Sequence, residues 1–355
     1  MSLGGSARVL VLGASYGLLP GMRLALAGHQ VTLVGRADEI AAMGREDLRL
    51  ELVGRRDGAP IVLALPPGQG ISLTTPAEAD PGPADMVLLA MQEPQYADPV
   101  VAELMGRVAA SGKPCLSIMN LPPPPFLARL GIDPAALDGV YASAAVWSHF
   151  APEQVTLASS DAQAVRLDPA QPGVLTVTLA SNFKAAPFAP PQDQALLERL
   201  ARDWAAFKHQ GQRPPVQLLA QQWLHVPLAK WPMLIAGNCR CLVEGGIRPI
   251  AEAVHDDLAV SERLYGTVTE LALSLGARAV DLVPFAAYAK AAQGLTRPSS
   301  LARALASGAT RVERIDLLVM RLLAAQGLDP APLEPIVAAI EARLAENAAR
   351  IASAA

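Results

Sequence analysis

The chain has 355 residues, 52% of them apolar and 17% charged, with a formal net charge of −4. That length supports two domains with cores of their own, and the apolar share excludes disorder as the main state. The slight acidity gives no electrostatic case for nucleic acid or an anionic membrane surface, and Gly, Pro or charge breaks every apolar window short of the ~20 residues a membrane span needs. No charged and then apolar leader opens the chain, which predicts a cytoplasmic protein, with residues 1–6 as a lead outside the fold. Cys115, Cys239 and Cys241 show no C-x-x-C spacing and cannot build a disulfide framework. They read as buried small residues in a reducing compartment.

The first predicted strand, 9–12, stops at Gly13. A glycine-punctuated turn, a helix-like segment closed by Gly28-His29, and a second strand at 31–34 follow. This is the order of a βαβ unit that binds a dinucleotide: glycines let the backbone approach the pyrophosphate, and the helix N-terminus turns N–H groups towards its charge. The fingerprint here is Gly13-x-Ser15-x-Gly17, one residue shorter than the usual G-x-G-x-x-G. Gly35-Arg36 ends the second strand, where an acid suits the ribose 2′-hydroxyl of NAD and a base suits the 2′-phosphate of NADP. Arg36, whose planar fork can grip a phosphate, predicts NADPH. The alternative makes Arg36 a solvated turn residue and Asp38 the ribose ligand.

Further apolar runs at 61–65, 86–91, 114–119 and 140–147, with a helix over 98–110, predict an open, largely parallel sheet with helices on both faces. Strands at 154–158 and 174–179 read as a small antiparallel extension. From residue 193 the pattern turns helical: Leu196, Leu197, Leu200, Trp204 and Phe207 recur at helical spacing, and 210–215 reads as a linker. Helices are predicted over 216–242, 259–275, 299–307, 309–326 and 333–351, with Gly276 and Gly327 where helix-terminating glycines belong. The fold class is therefore α/β: a Rossmann-type dinucleotide-binding domain over 7–212, followed by an all-helical domain over 213–355. His255-Asp256-Asp257 reads as a solvated helix face rather than a metal cluster, because neighbouring helix positions diverge.

Several residues are candidates for chemistry. Asn120 ends the 114–119 strand and either hydrogen-bonds nicotinamide or substrate, or simply turns the chain ahead of the prolines at 122–125. Lys230 stands in a segment, LAKWPMLIAGNCRCL, that is otherwise nearly free of charge. There it can give a proton to a carbonyl oxygen as hydride arrives, or snorkel to the surface. Asn238 lies eight residues on, about two helical turns, and so on the same face. Ser300 either caps a helix or binds a carboxylate. Glu313 either pairs with Lys230 or makes an exposed ion pair with a neighbouring arginine.

These residues and their order resemble the ketopantoate reductase family, whose members reduce 2-dehydropantoate with NADPH. The matching stretches are the fingerprint with LALAGHQVTLVGR, the strand end DMVLLAMQEPQ, SIMN, the lysine segment with NC, and PSSL followed by ERID. The resemblance implies an NADPH-dependent oxidoreductase acting on a small-molecule 2-oxo acid or related carbonyl, with a homodimer as its assembly. It implies catalytic roles for Lys230 and Glu313, substrate contacts from Asn120, Asn238 and Ser300, and cofactor contacts from Gly13, Ser15, Gly17, Arg36, Gln92, Gln95 and Asn120. The chain departs from the family at Gln92 (a lysine there), at Leu234 (an asparagine there) and at Leu121 (a glycine there), and its ERID register sets Arg314 against Glu313 for the acid position. Loss of a hydroxyl-binding asparagine weakens recognition of a polyhydroxylated acid. It leaves open a more apolar carbonyl or imine substrate, and a dinucleotide-binding protein without catalysis.

Overall fold

The computed structural model describes residues 5–53, 60–159, 162–179 and 181–354. Of the expected lead, residues 1–4 lie outside these. The described residues form two compact units: one holds the chain through Arg129 and Ser143–Leu224, the other Leu130–Ala142 and everything from His225.

In the first unit the strands run β1 (Arg8–Leu12), β2 (Gln30–Val34), β3 (Leu48–Leu52), β4 (Ile61–Leu65), β5 (Ile71–Thr74), β6 (Met86–Leu89), β7 (Cys115–Ser117), β8 (Val155–Leu157), β9 (Gln163–Val165), β10 (Val174–Leu179), β11 (Phe183–Ala185) and β12 (Leu218–Ala220). Its helices are α1 (Leu18–Leu26), α2 (Ala37–Met43), α3 (Pro99–Ala110), α4 (Pro124–Arg129), α5 (Ala144–Trp147) and α6 (Pro191–Ala206). Six strands make one wholly parallel sheet in the order β5-β2-β1-β6-β7-β8. Strands β1, β6, β7 and β8 are buried along nearly their whole length, as a sheet covered on both faces requires.

This arrangement corrects several expectations. The 154–158 run is no antiparallel extension: β8 lies parallel to β7 inside the main sheet, and its three residues are all buried. The 61–65 run leaves the main sheet for a second one, β4-β3-β10-β9, where β4 is antiparallel to β3 and β10 is parallel to it. The 140–147 run is not a strand. Its second half is α5, fixed by Trp147, whose indole N–H donates to Ser143 Oγ at 2.9 Å.

One apolar core runs through the two larger sheets of this unit, from Val9, Val11 and Leu33 to Leu50, Leu52, Leu175 and Val177, and on to Phe183 and Trp204. Each such side chain contributes about 1.5–3 kcal/mol on full burial. Helix α1 carries a buried cation into that core. Arg23 donates to the carbonyls of Pro215 (2.5 Å) and Val216 (3.0 Å) and stacks 5.2 Å over the Trp204 ring. Burial pushes its pKa down to about 10. These bonds tie the 210–215 stretch to α1, and β12 pairs in parallel with β11. The first unit therefore extends to Leu224, twelve residues beyond the 212/213 boundary read from the sequence.

The second unit contains α7 (Trp231–Ala236), α8 (Ile250–His255), α9 (Leu258–Ser274), α10 (Phe285–Ala292), α11 (Ser300–Ala306), α12 (Ile315–Ala325) and α13 (Glu334–Ala354). The helix expected over 216–242 is absent. That stretch is β12, a 3-10 turn over Val226–Lys230, the short α7, and a second 3-10 turn over Asn238–Cys241. Pro227 and Pro232 lack the N–H groups a continuous helix needs. Gly237, at φ −119° and ψ −69°, ends α7 where a Cβ would lie 2.1 Å from the Tyr288 hydroxyl. Helix α12 likewise begins only at Ile315, not at 309. The 130–142 segment joins this unit through a 3-10 turn, Pro134–Leu137, which packs on α12 and is capped by Asp133. Asp257 caps α9 and Asp256 pairs with Arg248, so both acids of the His255-Asp256-Asp257 run serve the fold. All three cysteines are buried and reduced, and burial pushes their thiol pKa values up. Among the described residues no helix is long and apolar enough to cross a membrane.

Candidate active site

The order β5-β2-β1-β6-β7-β8 reverses direction between β1 and β6, and open parallel sheets bind ligands outside the carboxyl ends of the strands at such a reversal. The registers set those ends level: Leu12 lies beside Val34 on one side and Leu89 on the other, and Leu89 lies beside Ser117. Four turns therefore leave the same edge of the sheet. They carry Gly13 to Gly17, Gly35-Arg36, Ala90-Met91-Gln92, and Ile118-Met119-Asn120.

The first turn is built around two glycines. Gly13 sits at φ +106°, and its N–H donates to the Val34 carbonyl at 3.0 Å. A Cβ there would meet Met91 Cγ at 2.6 Å and the Ala90 carbonyl oxygen at 2.8 Å. Gly17 has ordinary helical dihedrals, but its Cβ would fall 2.3 Å from the Gly13 carbonyl oxygen. Its N–H donates to that same oxygen at 3.1 Å. Among the described residues the amides of Ala14 and Ser15 give no backbone hydrogen bond. Ser15 is exposed. Uncommitted amides ahead of a helix N-terminus fit an anionic pyrophosphate.

At the end of β2 the two residues weighed against each other in the sequence hold one another. Arg36 Nε lies 3.3 Å from Asp38 Oδ1, with both side chains about three-quarters exposed, at 77% and 74%. The hydrogen bond raises the arginine pKa and lowers that of the acid. Beyond β6, Gln92 is exposed and its N–H donates to Gln95 Oε1 at 2.9 Å, so Gln95 braces the turn that presents Gln92. Asn120 is half-buried at the bend three residues past β7.

Sequence reasoning passed over two further groups at this edge. Glu93 is fully buried, and its Oε1 accepts from the Ser143 N–H at 2.7 Å and the Ser143 hydroxyl at 2.5 Å. Tyr96 Oη accepts the Met91 N–H at 3.3 Å. The Glu-Pro pair after Gln92 was the available signal, since an acid in that turn needs either solvent or donors. The second group is Arg166, just past β9, which reaches the first turn and pairs with Glu39 of α2. Nothing local marks it.

In the second unit Lys230 is half-buried and stands immediately before α7. Glu313 is 7% exposed, which excludes the exposed ion pair, and stands two residues before α12. Helices α7 and α12 pack together. Arg314 is committed elsewhere: its Nη2 lies 2.9 Å from Asp316 Oδ2 and 3.5 Å from Glu341 Oε1. Asn238 does not share a continuous helix with Lys230, since α7 ends at Ala236. Its backbone carbonyl is instead bonded by Ser299, the chain neighbour of Ser300. Ser299 Oγ donates to the Asn238 carbonyl at 2.7 Å and accepts the Ala302 N–H at 3.2 Å. Ser299 is thus the cap of α11, and the capping role weighed for Ser300 falls to its neighbour. Leu234 is buried within α7.

The sequence matches no family model and no curated protein. Solved structures do match. A ketopantoate reductase of the PanE/ApbA family from Ralstonia eutropha JMP134 is 20% identical, with 96% of this chain and 99% of that chain aligned at a TM-score of 0.66. The fold is that of the ketopantoate reductases. The ketopantoate reductase fold also covers D-mandelate dehydrogenase, solved with NADH and anilino(oxo)acetate: 12% identity, 96% and 99% coverage, TM-score 0.66. The dimeric ketopantoate reductase from Staphylococcus aureus is 12% identical over 96% of this chain and 99% of that chain, at a TM-score of 0.62.

Proposed function

We propose that the chain is an NADPH-dependent oxidoreductase that reduces the keto group of a 2-oxo acid. The observation that carries this reading is the set of four level turns at the reversal of a parallel sheet, with the glycine-built turn among them. The fold shared with ketopantoate reductases and D-mandelate dehydrogenase supports the same chemistry.

In this reading the amides of Ala14 and Ser15 take the pyrophosphate, Arg36 takes the 2′-phosphate, and Gln92 and Asn120 flank the nicotinamide end. The cofactor, when bound, supplies the hydride. Lys230 gives its proton to the carbonyl oxygen, which gains negative charge as the carbon accepts hydride. Glu313 keeps the lysine charged and oriented. Asn238, whose carbonyl accepts from Ser299, and the adjoining Ser300 bind the substrate carboxylate. The dimeric state named for the Staphylococcus aureus enzyme is extended to this chain as a homodimer.

Titrating NADPH and NADH separately against tryptophan fluorescence, followed by a screen of 2-oxo acids for NADPH oxidation, tests the reading. Expected are tighter binding of NADPH, loss of that preference in Arg36→Ala, and turnover of at least one 2-oxo acid. Equal binding of both cofactors that Arg36→Ala does not change overturns the cofactor assignment. Dinucleotide binding without turnover of any carbonyl or imine would make the protein a binding module instead. An aromatic 2-oxo acid is the second substrate class to screen, since the D-mandelate dehydrogenase structure was solved with anilino(oxo)acetate and the sequence resemblance sets Leu234 where the ketopantoate reductases carry an asparagine.

A further inference from the structure

Arg166 lies 152 residues from Ala14 in sequence, and its Nη2 donates to the Ala14 carbonyl oxygen at 3.0 Å. Its Nη1 is held by Glu39 Oε1, the first-turn acid of α2. Both side chains are largely buried, at 17% and 9% exposure. A second bond joins the same two segments: Tyr16 Oη donates to the Ala162 carbonyl at 2.7 Å. The turn after β1 is thus clamped from the far side by β9 and its flanks.

A trans peptide is planar, with its C=O and N–H pointing in opposite directions. Fixing the Ala14 carbonyl towards Arg166 therefore fixes the next N–H, that of Ser15, away from it. A hydrogen bond from a cation to the carbonyl also polarises the amide and strengthens its N–H as a donor. Glu39 offsets the charge of the guanidinium and holds its plane, because the planar fork fixes a carboxylate bond and a carbonyl bond in one rigid geometry, which a lysine's three rotatable donors do not. Gly13, at positive φ one residue before this peptide, gives the turn a backbone freedom that other residues lack.

We propose that Arg166 and Glu39 are positioning residues that lock the Ala14–Ser15 peptide with its N–H turned towards the cofactor pyrophosphate. Arg166 acts on the shared part of the two dinucleotides and not on the 2′-phosphate. This inference rests on the reading of the β1 turn as a dinucleotide site.

The test measures NADPH and NADH dissociation constants by calorimetry for wild type, Arg166→Met, Arg166→Lys and Glu39→Gln, with circular dichroism and thermal melting as folding controls. Expected is a loss of about tenfold or more in Arg166→Met that is equal for NADPH and NADH, with Arg166→Lys restoring part of it and Glu39→Gln losing less. A loss confined to NADPH overturns the proposal, because Arg166 would then contact the 2′-phosphate. Unchanged affinity for both in Arg166→Met overturns it too. If Arg166→Met does not fold, Arg166→Lys and Glu39→Gln decide: an equal partial loss for both nucleotides supports the lock, and wild-type affinity in both variants refutes it. Wild-type protein that binds neither dinucleotide overturns the underlying reading and the proposal with it.

Discussion

Three glycine-to-alanine variants separate backbone strain from crowding around the first turn. Gly28, past the end of α1, sits at φ +96° with nothing within 4 Å of where an added methyl would stand, so Gly28→Ala adds strain alone. That costs about 1–2 kcal/mol. Gly17 has helical dihedrals, and its Cβ would meet the Gly13 carbonyl oxygen at 2.3 Å and Val11 Cγ1 at 2.7 Å. Gly17→Ala adds crowding alone, about 1–3 kcal/mol. Gly13 combines φ +106° with contacts to Met91 and Ala90, so Gly13→Ala should lose roughly 2–5 kcal/mol, the two effects together. Urea midpoints at unchanged m-value measure the losses. NADPH titration adds a second axis: Gly28→Ala should keep wild-type affinity, whereas both turn variants should lose at least about tenfold, equivalent to roughly 1.4 kcal/mol. A Gly17→Ala protein with the wild-type midpoint would refute the crowding argument. A Gly28→Ala protein that alone loses NADPH affinity would refute the placing of the site at the head of α1.

Lys230→Ala should lose about 10²–10⁴ in kcat on a confirmed substrate while NADPH affinity holds, as single-turnover and binding assays will read. Near wild-type turnover would remove the lysine from the mechanism. Asp316 is fully buried and accepts from Arg314 Nε and Nη2, so Asp316→Ala leaves the largely buried arginine with only Glu341, 3.5 Å away, and should cost up to about 3–5 kcal/mol in urea unfolding. The Arg314→Met, Asp316→Leu double variant should lose less than that single change. His29 accepts the Ala7 N–H at Nδ1 (3.2 Å), and burial lowers its pKa although Asp203 lies 3.5 Å from Nε2. The unfolded chain then takes the proton first, so stability should be full above about pH 6.5 and fall as the pH drops below it, by at most about 1.4 kcal/mol per unit. His29→Gln should flatten that slope in urea titrations between pH 7 and pH 5, and an unchanged slope would refute the linkage.

The parts of the fold that follow from local chemistry were legible in the sequence. An apolar run, a glycine that must take positive φ, and a second apolar run are sufficient to place β1, α1 and β2, and the ends of β6 and β7 follow from similar runs. The second sheet was not legible as such. Strand β3 alternates Leu48, Leu50 and Leu52 with Arg49 and Glu51, a period-two pattern, but its partner β10 lies over 120 residues away in sequence. Apolar content also misled at 140–147, where a serine and a tryptophan close a helical turn on a buried acid from another turn. Composition alone suggested one long helix over 216–242, and two prolines and Gly237 divided it. The candidate site divides in the same way. Gly13, Gly17 and Arg36 announce themselves by type and spacing, while Arg166, Glu39 and Ser299 matter only through partners far off in the chain.

The strip Leu130–Ala142 gives the polypeptide an unusual itinerary. It belongs to the helical unit, yet residues of the other unit precede and follow it, so the backbone crosses between the units three times. No single cut can release the helical unit intact: a fragment starting at His225 lacks the strip that seats on α12. During synthesis the strip emerges about 175 residues ahead of α12, a wait of roughly 10–35 s at ribosomal speed. Through that interval its apolar side chains have no permanent seat, which makes this stretch the place where chaperone engagement on the nascent chain is expected.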